Sequence, residues 1–350
     1  MAYTIGVIAG DGIGKEVIPA GIAAIEQATR GSGVSVSFSD LPWSCEYYLK
    51  HQRMMDEDGY ERMARFDALY MGALGAPGVS DAASAGLILG IRQKFDQYVN
   101  LRPMRLLAGL SSPLANRGAA DIDMICVREN SEGEYAGVGG RIHRGTPHEV
   151  AQQVGVFTRN GIERILRYGF EIAATRPRRM LASATKSNAL THSMVLWDEV
   201  AEIVRQDYPG VDYRKYHVDA LAARMITHPQ TLDVMVTSNL FGDILTDIGS
   251  AISGSLGIAP GANINPTRAH PSMFEPIHGS APDIAGQGIA NPIGAIWAAA
   301  LMLEHLGHRE LHDKVLGAIE RVVANGKVRT PDLGGSSRTT DVADAIVGEI

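Results

Sequence analysis

The sequence predicts an α/β fold, on three observations. Short apolar, β-rich runs alternate with segments whose apolar residues recur three and four apart. The alternation fills all 350 residues, with no internal repeat and no low-complexity linker. Finally, 45% of the residues are apolar, enough for the core of two domains or of one large α/β unit. Strands are expected at 3–9, 34–38, 68–71, 121–127, 180–183, 211–218 and 234–237. Helices are expected at 13–29, 161–175, 193–206, 240–253, 294–306 and 311–324. Gly and Pro concentrate at 73–78 and again at 254–292, which reads as long functional loops.

Charge narrows the function classes. With 32 Lys plus Arg against 39 Asp plus Glu the net charge is -7, unlike a nucleic-acid surface, which is normally basic. Anionic small molecules stay possible, since a local arginine cluster suffices to bind them. The apolar start stops at Asp11 without a basic lead, and no apolar run reaches membrane-span length. Cys45 and Cys126 have no metal-type spacing and read as packing residues in a reducing compartment, so a cytoplasmic protein is expected.

Gly10-Asp11-Gly12-Ile13-Gly14-Lys15 follows a strand and opens a helix, where a phosphate could bind. Its spacing matches neither the dinucleotide fingerprint nor the P-loop, and it reads as a tight structural turn. Arg92 and Arg102 flank a helix-to-strand transition, and Arg128 follows another strand. Together they could grip two carboxylates, because a planar guanidinium binds carboxylate bidentately. In the acidic, glycine-broken loop after Arg128, Tyr135 is a candidate proton donor, its pKa lowered by neighbouring cations. Lys186 stands in a polar turn at a strand end, where α/β enzymes place chemistry.

The most specific pattern is Asp243 and Asp247, four apart on a helix after a strand. That spacing puts two carboxylates on one helix face, within reach of one hard cation. Asp219, after His217-Val218, is a candidate third oxygen ligand, and an all-oxygen set favours magnesium or manganese over zinc. Between 274 and 292 lies a loop of small residues carrying His278, Ser280, Asp283 and Asn291. Small residues let a backbone approach a cofactor, and a free Asp can accept ribose hydroxyls while repelling a 2′-phosphate.

These motifs carry a resemblance. NLFGDILTD, HGSAPDIAG with IANP, and the Arg92, Arg102, Arg128 spacing resemble the β-decarboxylating dehydrogenases, the family of isocitrate and isopropylmalate dehydrogenases. The likeness runs from GDGIG to DLGG. Within the family, PWSCEYYL, FDQYVNLRP and VRENSEGEYAGVGGR are most similar to the tartrate and D-malate dehydrogenases.

The resemblance implies a two-domain α/β fold with a mixed central sheet. Residues 1–101 with 255–350 would form a discontinuous large, cofactor-binding domain, and 102–254 a small dimerising one. It implies a homodimer with shared sites, in which Lys186 and Asp219 reach across from the second subunit. Arg92, Arg102 and Arg128 would bind the substrate, with Asp219, Asp243 and Asp247 holding Mn2+ or Mg2+. His278, Gly279, Ser280, Ala281, Asp283, Ile284 and Asn291 would line an NAD site; K+ is a further candidate cofactor.

Lys186, aided by Asp219, would take the C2 hydroxyl proton as hydride leaves, and Tyr135 would protonate the enol left by decarboxylation. In such enzymes the helix before Arg92 reads the group at C3. Here Ile88 and Leu89 are apolar, which disfavours the third carboxylate of isocitrate. The expected substrate is therefore D-malate or tartrate, with 3-isopropylmalate as the nearest rival. The tartrate-type enzymes carry a lysine where Gly90 stands, which favours D-malate over tartrate. An ATP-using phosphotransferase is disfavoured by the failed P-loop spacing, and a non-catalytic dimeric scaffold by the presence of every role residue.

Overall fold

The structure is a computed structural model describing residues 1–350. Twelve strands form in chain order: β1 (Ala2–Ile8), β2 (Ser35–Asp40), β3 (Ala68–Met71), β4 (Val99–Arg105), β5 (Asp123–Glu129), β6 (Gly133–Ile142), β7 (Val150–Val156), β8 (Met180–Thr185), β9 (Asp212–His217), β10 (Val234–Thr237), β11 (Pro260–Ile264) and β12 (Ser272–Pro276). The α-helices are α1 (Gly14–Thr29), α2 (Cys45–His51), α3 (Gly59–Met63), α4 (Asp81–Lys94), α5 (Arg159–Thr175), α6 (Ser193–Val204), α7 (Val218–Thr227), α8 (Asn239–Ile252), α9 (Ile293–His305), α10 (Arg309–Asn325) and α11 (Thr339–Glu349).

Ten strands share one mixed sheet in the order β2-β1-β3-β12-β11-β4-β5-β10-β8-β9. β2, β1, β3 and β12 run parallel, as do β5, β10, β8 and β9. Between the two blocks lies an antiparallel seam, where β11 pairs with β12 and β4, and β4 with β5. The inner parallel strands β1, β3, β5, β8 and β10 are covered by helices and read as apolar runs, which is why they were legible in the sequence. A buried apolar core runs from Ile5 and Val7 through Val99 and Val127 to Met235 and Trp197. A second core of Trp43, Met63, Leu87, Ile91 and Phe95 seats α3 and α4. Helix α9 is buried along nearly its whole length and packs on α1 and α10, a helix that is apolar all round.

All seven expected strands and all six expected helices are present, with ends moved by a few residues. The 254–292 stretch is corrected: it contains β11 and β12, both fully buried in the middle of the sheet. Pro260 is tolerated because it opens its strand, where a proline needs no ladder N–H. The segment after Arg128 is also corrected, since Gly133–Ile142 is a strand and Tyr135 lies on it. Strands β6 and β7 form a separate two-stranded sheet. Its register sets Val138 opposite Val154 and Ile142 opposite Val150, an exposed apolar stripe. Both cysteines are buried and unbridged, with thiols pushed up to about 11 by burial, as packing residues should be.

Candidate active site

The antiparallel seam determines where the arginines meet. Register places Asn263 of β11 opposite Asn100 of β4, and Asn100 opposite Arg128 of β5. Arg102, two residues beyond Asn100 on β4, faces the same side of the sheet. A buried amide hub joins them: Arg102 Nε donates to Asn100 Oδ1 at 2.7 Å, Asn100 Nδ2 to Asn263 Oδ1 at 2.7 Å, and Asn263 Nδ2 to Glu275 Oε1 at 2.8 Å. The Glu275 carboxylate, on β12, also accepts from Arg92 Nη2 at 3.0 Å. One polar relay therefore ties the arginines of α4 and β4 together. Asn130 Nδ2 joins at Asn263 Oδ1, at 2.9 Å.

Arg128 is fixed separately. Its Nε and Nη2 both donate to Asn239 Oδ1, the first residue of α8, at 3.1 and 2.8 Å, and its Nη1 pairs with Asp243. All three guanidinium groups are buried. Burial, then mutual repulsion, lowers the pKa of both Arg102 and Arg128. Leaving Asp247 aside, three guanidinium charges meet only the Glu275 and Asp243 carboxylates, an excess of one positive charge that suits an anion.

Asp243 and Asp247 lie one turn apart on α8. Burial pushes the Asp243 pKa up, but the charges of Arg128 and Arg102 outweigh it and hold it below the usual carboxylate value. Tyr135 Oη donates to Asp243 Oδ2 at 2.9 Å, and the Arg128 guanidinium sits 5.6 Å from the Tyr135 ring centre. The Tyr135 pKa expectation is corrected: burial and the Asp243 charge raise it, against the lowering by Arg128. Asp247 is exposed and makes no hydrogen bond or ion pair within the chain. Ile244 between them is 54% exposed, so the carboxylates open onto an apolar face. An ionised Asp243 beside an unpaired Asp247 is a fitting oxygen-donor pair for a divalent cation.

Asp219 does not join them, and no three His, Cys, Asp or Glu residues converge on a metal position in this chain. It lies instead in the first turn of α7, where its carboxylate accepts from Lys186 Nζ at 2.6 Å, a bond that lowers its pKa.

The His278 loop leaves β12 and folds against the start of α1. Burial lowers the His278 pKa and keeps the imidazole neutral near pH 7; its Nδ1 lies 3.0 Å from Gly279 O, while Nε2 is buried and unpaired. Ser280 O accepts from Ile13 N at 3.0 Å, and Ala281 has φ +40, a left-handed position. Asn291 is held by Asp332, with Nδ2 to Oδ2 at 2.9 Å. His278, Ile284, Asn291, Ile13 and Asp332 line one cavity of about 340 Å3. Gly279 and Asp283 are exposed, and the Asp283 carboxylate has no partner. An unpaired buried imidazole nitrogen, a preformed cavity and a free carboxylate fit the polar needs of a dinucleotide.

On α4, Ile88 and Leu89 are half-buried and share a helix face with Arg92, four and three residues on. Gly90 does not. It lies about 200° round the helix from Arg92, and a Cβ there would stand 2.3 Å from Tyr60 Oη. Position 90 thus faces Tyr60 of α3 and not the Arg92 side of α4. Sequence reasoning also missed Glu275, Asn100, Asn263, Asn239 and Asp332. Asn100 stands inside FDQYVNLRP, Asn239 inside NLFGDILTD, Glu275 inside the 274–292 loop and Asp332 inside DLGG, so only Asn263 lies outside every motif singled out.

Comparison with known proteins bears on the same site. The family model described as isocitrate/isopropylmalate dehydrogenase matches residues 4–346. The chain is 53% identical over 350 residues to the D-malate dehydrogenase [decarboxylating] of Escherichia coli (strain K12), covering 98% of this chain and 97% of that protein. It is 49% identical to the tartrate dehydrogenase/decarboxylase of Pseudomonas putida, covering 99% and 97%. Among solved structures, the isocitrate dehydrogenase from Methylococcus capsulatus superposes with a TM-score of 0.89 at 33% identity, over 99% of both chains.

The lowered Asp243 pKa has a stability consequence. A carboxylate whose folded pKa is depressed contributes stability above its unfolded pKa of about 4 and loses it as pH falls through the folded value. Replacing Asp243 by Asn should therefore cost more stability at pH 7 than at pH 3.5, measured by urea unfolding of both proteins. An equal cost at both pH values contradicts the Arg128–Asp243 coupling.

Proposed function

Because the chain belongs to the isocitrate/isopropylmalate dehydrogenase family and is an oxidoreductase, we propose that it oxidises and decarboxylates a small (2R)-hydroxy dicarboxylate, D-malate or tartrate, using NAD and Mn2+ or Mg2+. The observation that carries the reading is the Arg92, Arg102, Arg128 cluster facing the Asp243–Asp247 helix, a pocket that takes carboxylates on one side and a cation on the other. The names of the relatives point to the same substrates. Half-buried Ile88 and Leu89 beside Arg92 suit a small C3 substituent and give no partner for a third carboxylate. They could also pack an isopropyl group, so 3-isopropylmalate is the rival. The unpaired Asp283 carboxylate favours NAD by repelling a 2′-phosphate.

Asp243 and Asp247, completed by Asp219 of a second subunit, would hold the cation, and the His278 loop the dinucleotide. When bound, these groups would draw electron density from the C2 oxygen and accept the C2 hydride. The protein's own residues do the rest. The arginines orient the carboxylates. Lys186, entering this step as the neutral amine oriented by Asp219, takes the C2 hydroxyl proton at Nζ, and after loss of CO2 the Tyr135 hydroxyl protonates C3 of the enol and is reprotonated from solvent. Its raised pKa keeps Tyr135 in the protonated form this step needs. With D-malate the products are pyruvate and CO2.

A homodimer is supported by exposed apolar surface in two places: the β6–β7 stripe, and Ile226 of α7 with Ile244 of α8. Ile244 adjoins Asp243, so a subunit covering it stands beside the carboxylate pair. We assign 1–101 with 255–350 to the cofactor-binding domain and 102–254 to the dimerising one. The assignment is supported by the change from one parallel block to the other across β11 and β4.

Two experiments test this. In a spectrophotometric panel with NAD and Mn2+, with and without K+, D-malate or a tartrate should give the highest kcat/KM. A higher value for 3-isopropylmalate would overturn the substrate, and no NAD reduction by any 2-hydroxy acid the whole reading. The second mixes two single variants, Lys186→Met and Asp247→Asn, each inactive alone. Subunit exchange should restore activity to about a quarter of wild type, since half the dimers are hybrids with one intact site of two. No recovery despite confirmed exchange contradicts the shared site.

A further inference from the structure

The GDGIGKE segment is left without a role by the proposed chemistry, yet it is among the most constrained parts of the chain. Asp11 is buried, and its carboxylate accepts from Cys45 N at 2.9 Å and Gly75 N at 3.1 Å. Gly12 has φ +54, and a Cβ on it would stand 2.0 Å from Ser280 O. The next residue, Ile13, donates its N–H to that carbonyl at 3.0 Å. The start of α1, where a phosphate might have docked, is therefore occupied by the loop that follows His278. Lys15 is turned away in an ion pair with Glu46 at 2.6 Å.

One turn further, Glu16 Oε1 accepts from Gly286 N at 2.6 Å. Gly286 has φ +78, a left-handed conformation in which its N–H is presented to α1. The far end of the loop is held by Thr339 at the start of α11, whose N donates to Gly288 O at 2.9 Å and whose Oγ1 donates to Ala290 O at 2.7 Å. Between these anchors run Ala281, Asp283, Ile284 and Ala285, the stretch offered to the dinucleotide, with Ala281, Ile284 and Ala285 packed on Ile13 and Val17. Its internal bonds are few: Ile284 N to Ala281 O at 3.1 Å, Gln287 N to Ile284 O at 3.2 Å and Gln287 Nε2 to Asp283 O at 2.8 Å. Beyond that apolar packing, the charge-assisted Glu16 bond is the only hydrogen bond from the middle of the loop to a helix.

From this arrangement we infer that Glu16 is a positioning residue for the dinucleotide: by capturing the Gly286 N–H it holds the 281–288 segment in its binding shape before NAD arrives. A loop already ordered does not lose that entropy on binding, so removing the latch weakens NAD without touching the hydroxy-acid side. The inference rests on the NAD site proposed above.

The test is calorimetric titration of NAD into wild type, Glu16→Ala and Glu16→Gln, with hydrogen exchange of the 281–288 peptide. Glu16→Ala should bind NAD about tenfold more weakly, the loss expected for one hydrogen bond to a charged group. It should exchange faster over 281–288, raise KM for NAD more than it lowers kcat, and leave KM for the hydroxy acid in place. Glutamine keeps the acceptor and should restore most of the affinity. If Glu16→Ala binds NAD as tightly as wild type, or if glutamine rescues nothing, the latch is wrong. If wild type binds no NAD, the failure belongs to the cofactor assignment instead.

Discussion

Three guanidinium groups buried in one pocket set the terms for the rest of the structure. An unpaired buried charge costs several kcal/mol, so each arginine must find acids and acceptors nearby. Glu275 is supplied to Arg92 by β12, Asn100 to Arg102 by β4 itself, and Asn239 with Asp243 to Arg128 by α8. The antiparallel seam makes this possible by setting β12, β11, β4 and β5 side by side, so that one amide relay crosses three strands. A parallel centre would have needed crossover helices at each step. Counting Asp247, three positive charges face three negative ones. A divalent cation and a doubly charged dicarboxylate can enter together without upsetting that balance, whereas either alone leaves it two charges out.

The same arrangement explains why the site opens sideways. Asp243 is held by Arg128 and Tyr135, but Asp247 and the intervening Ile244 look outward from α8. An exposed isoleucine between two carboxylates is costly as a solvent face and useful as an interface. The Lys186–Asp219 pair forms at the start of α7 and does not join the Asp243–Asp247 pair within the chain. Their separation follows from the elements that carry them, α7 and α8.

Legibility followed burial and periodicity. The inner parallel strands and the long helices announce themselves through apolar runs and three-four spacing, and Asp243 and Asp247 through their own spacing. The strands hidden from the sequence each have a reason. β11 opens with proline and glycine, and β12 ends on proline, so both look like loop; β6 is Gly-rich, and β6 and β7 are largely exposed, with no apolar alternation toward a core. Asn263 was illegible as a functional residue because its role exists only through register, which joins residues far apart in sequence. Tyr135 was read with the wrong pKa direction for a related reason. The sequence showed the arginine near it but not the Asp243 carboxylate that receives its hydroxyl.

The charge balance is tested most directly by thermodynamic linkage between cation and substrate. Mn2+ binding is measured by electron paramagnetic resonance with and without D-malate, and D-malate binding by calorimetry with and without Mn2+, no NAD present. The account predicts that each ligand tightens the other by the same factor, at least about tenfold, as reciprocity requires. Affinities that are independent of one another would contradict it.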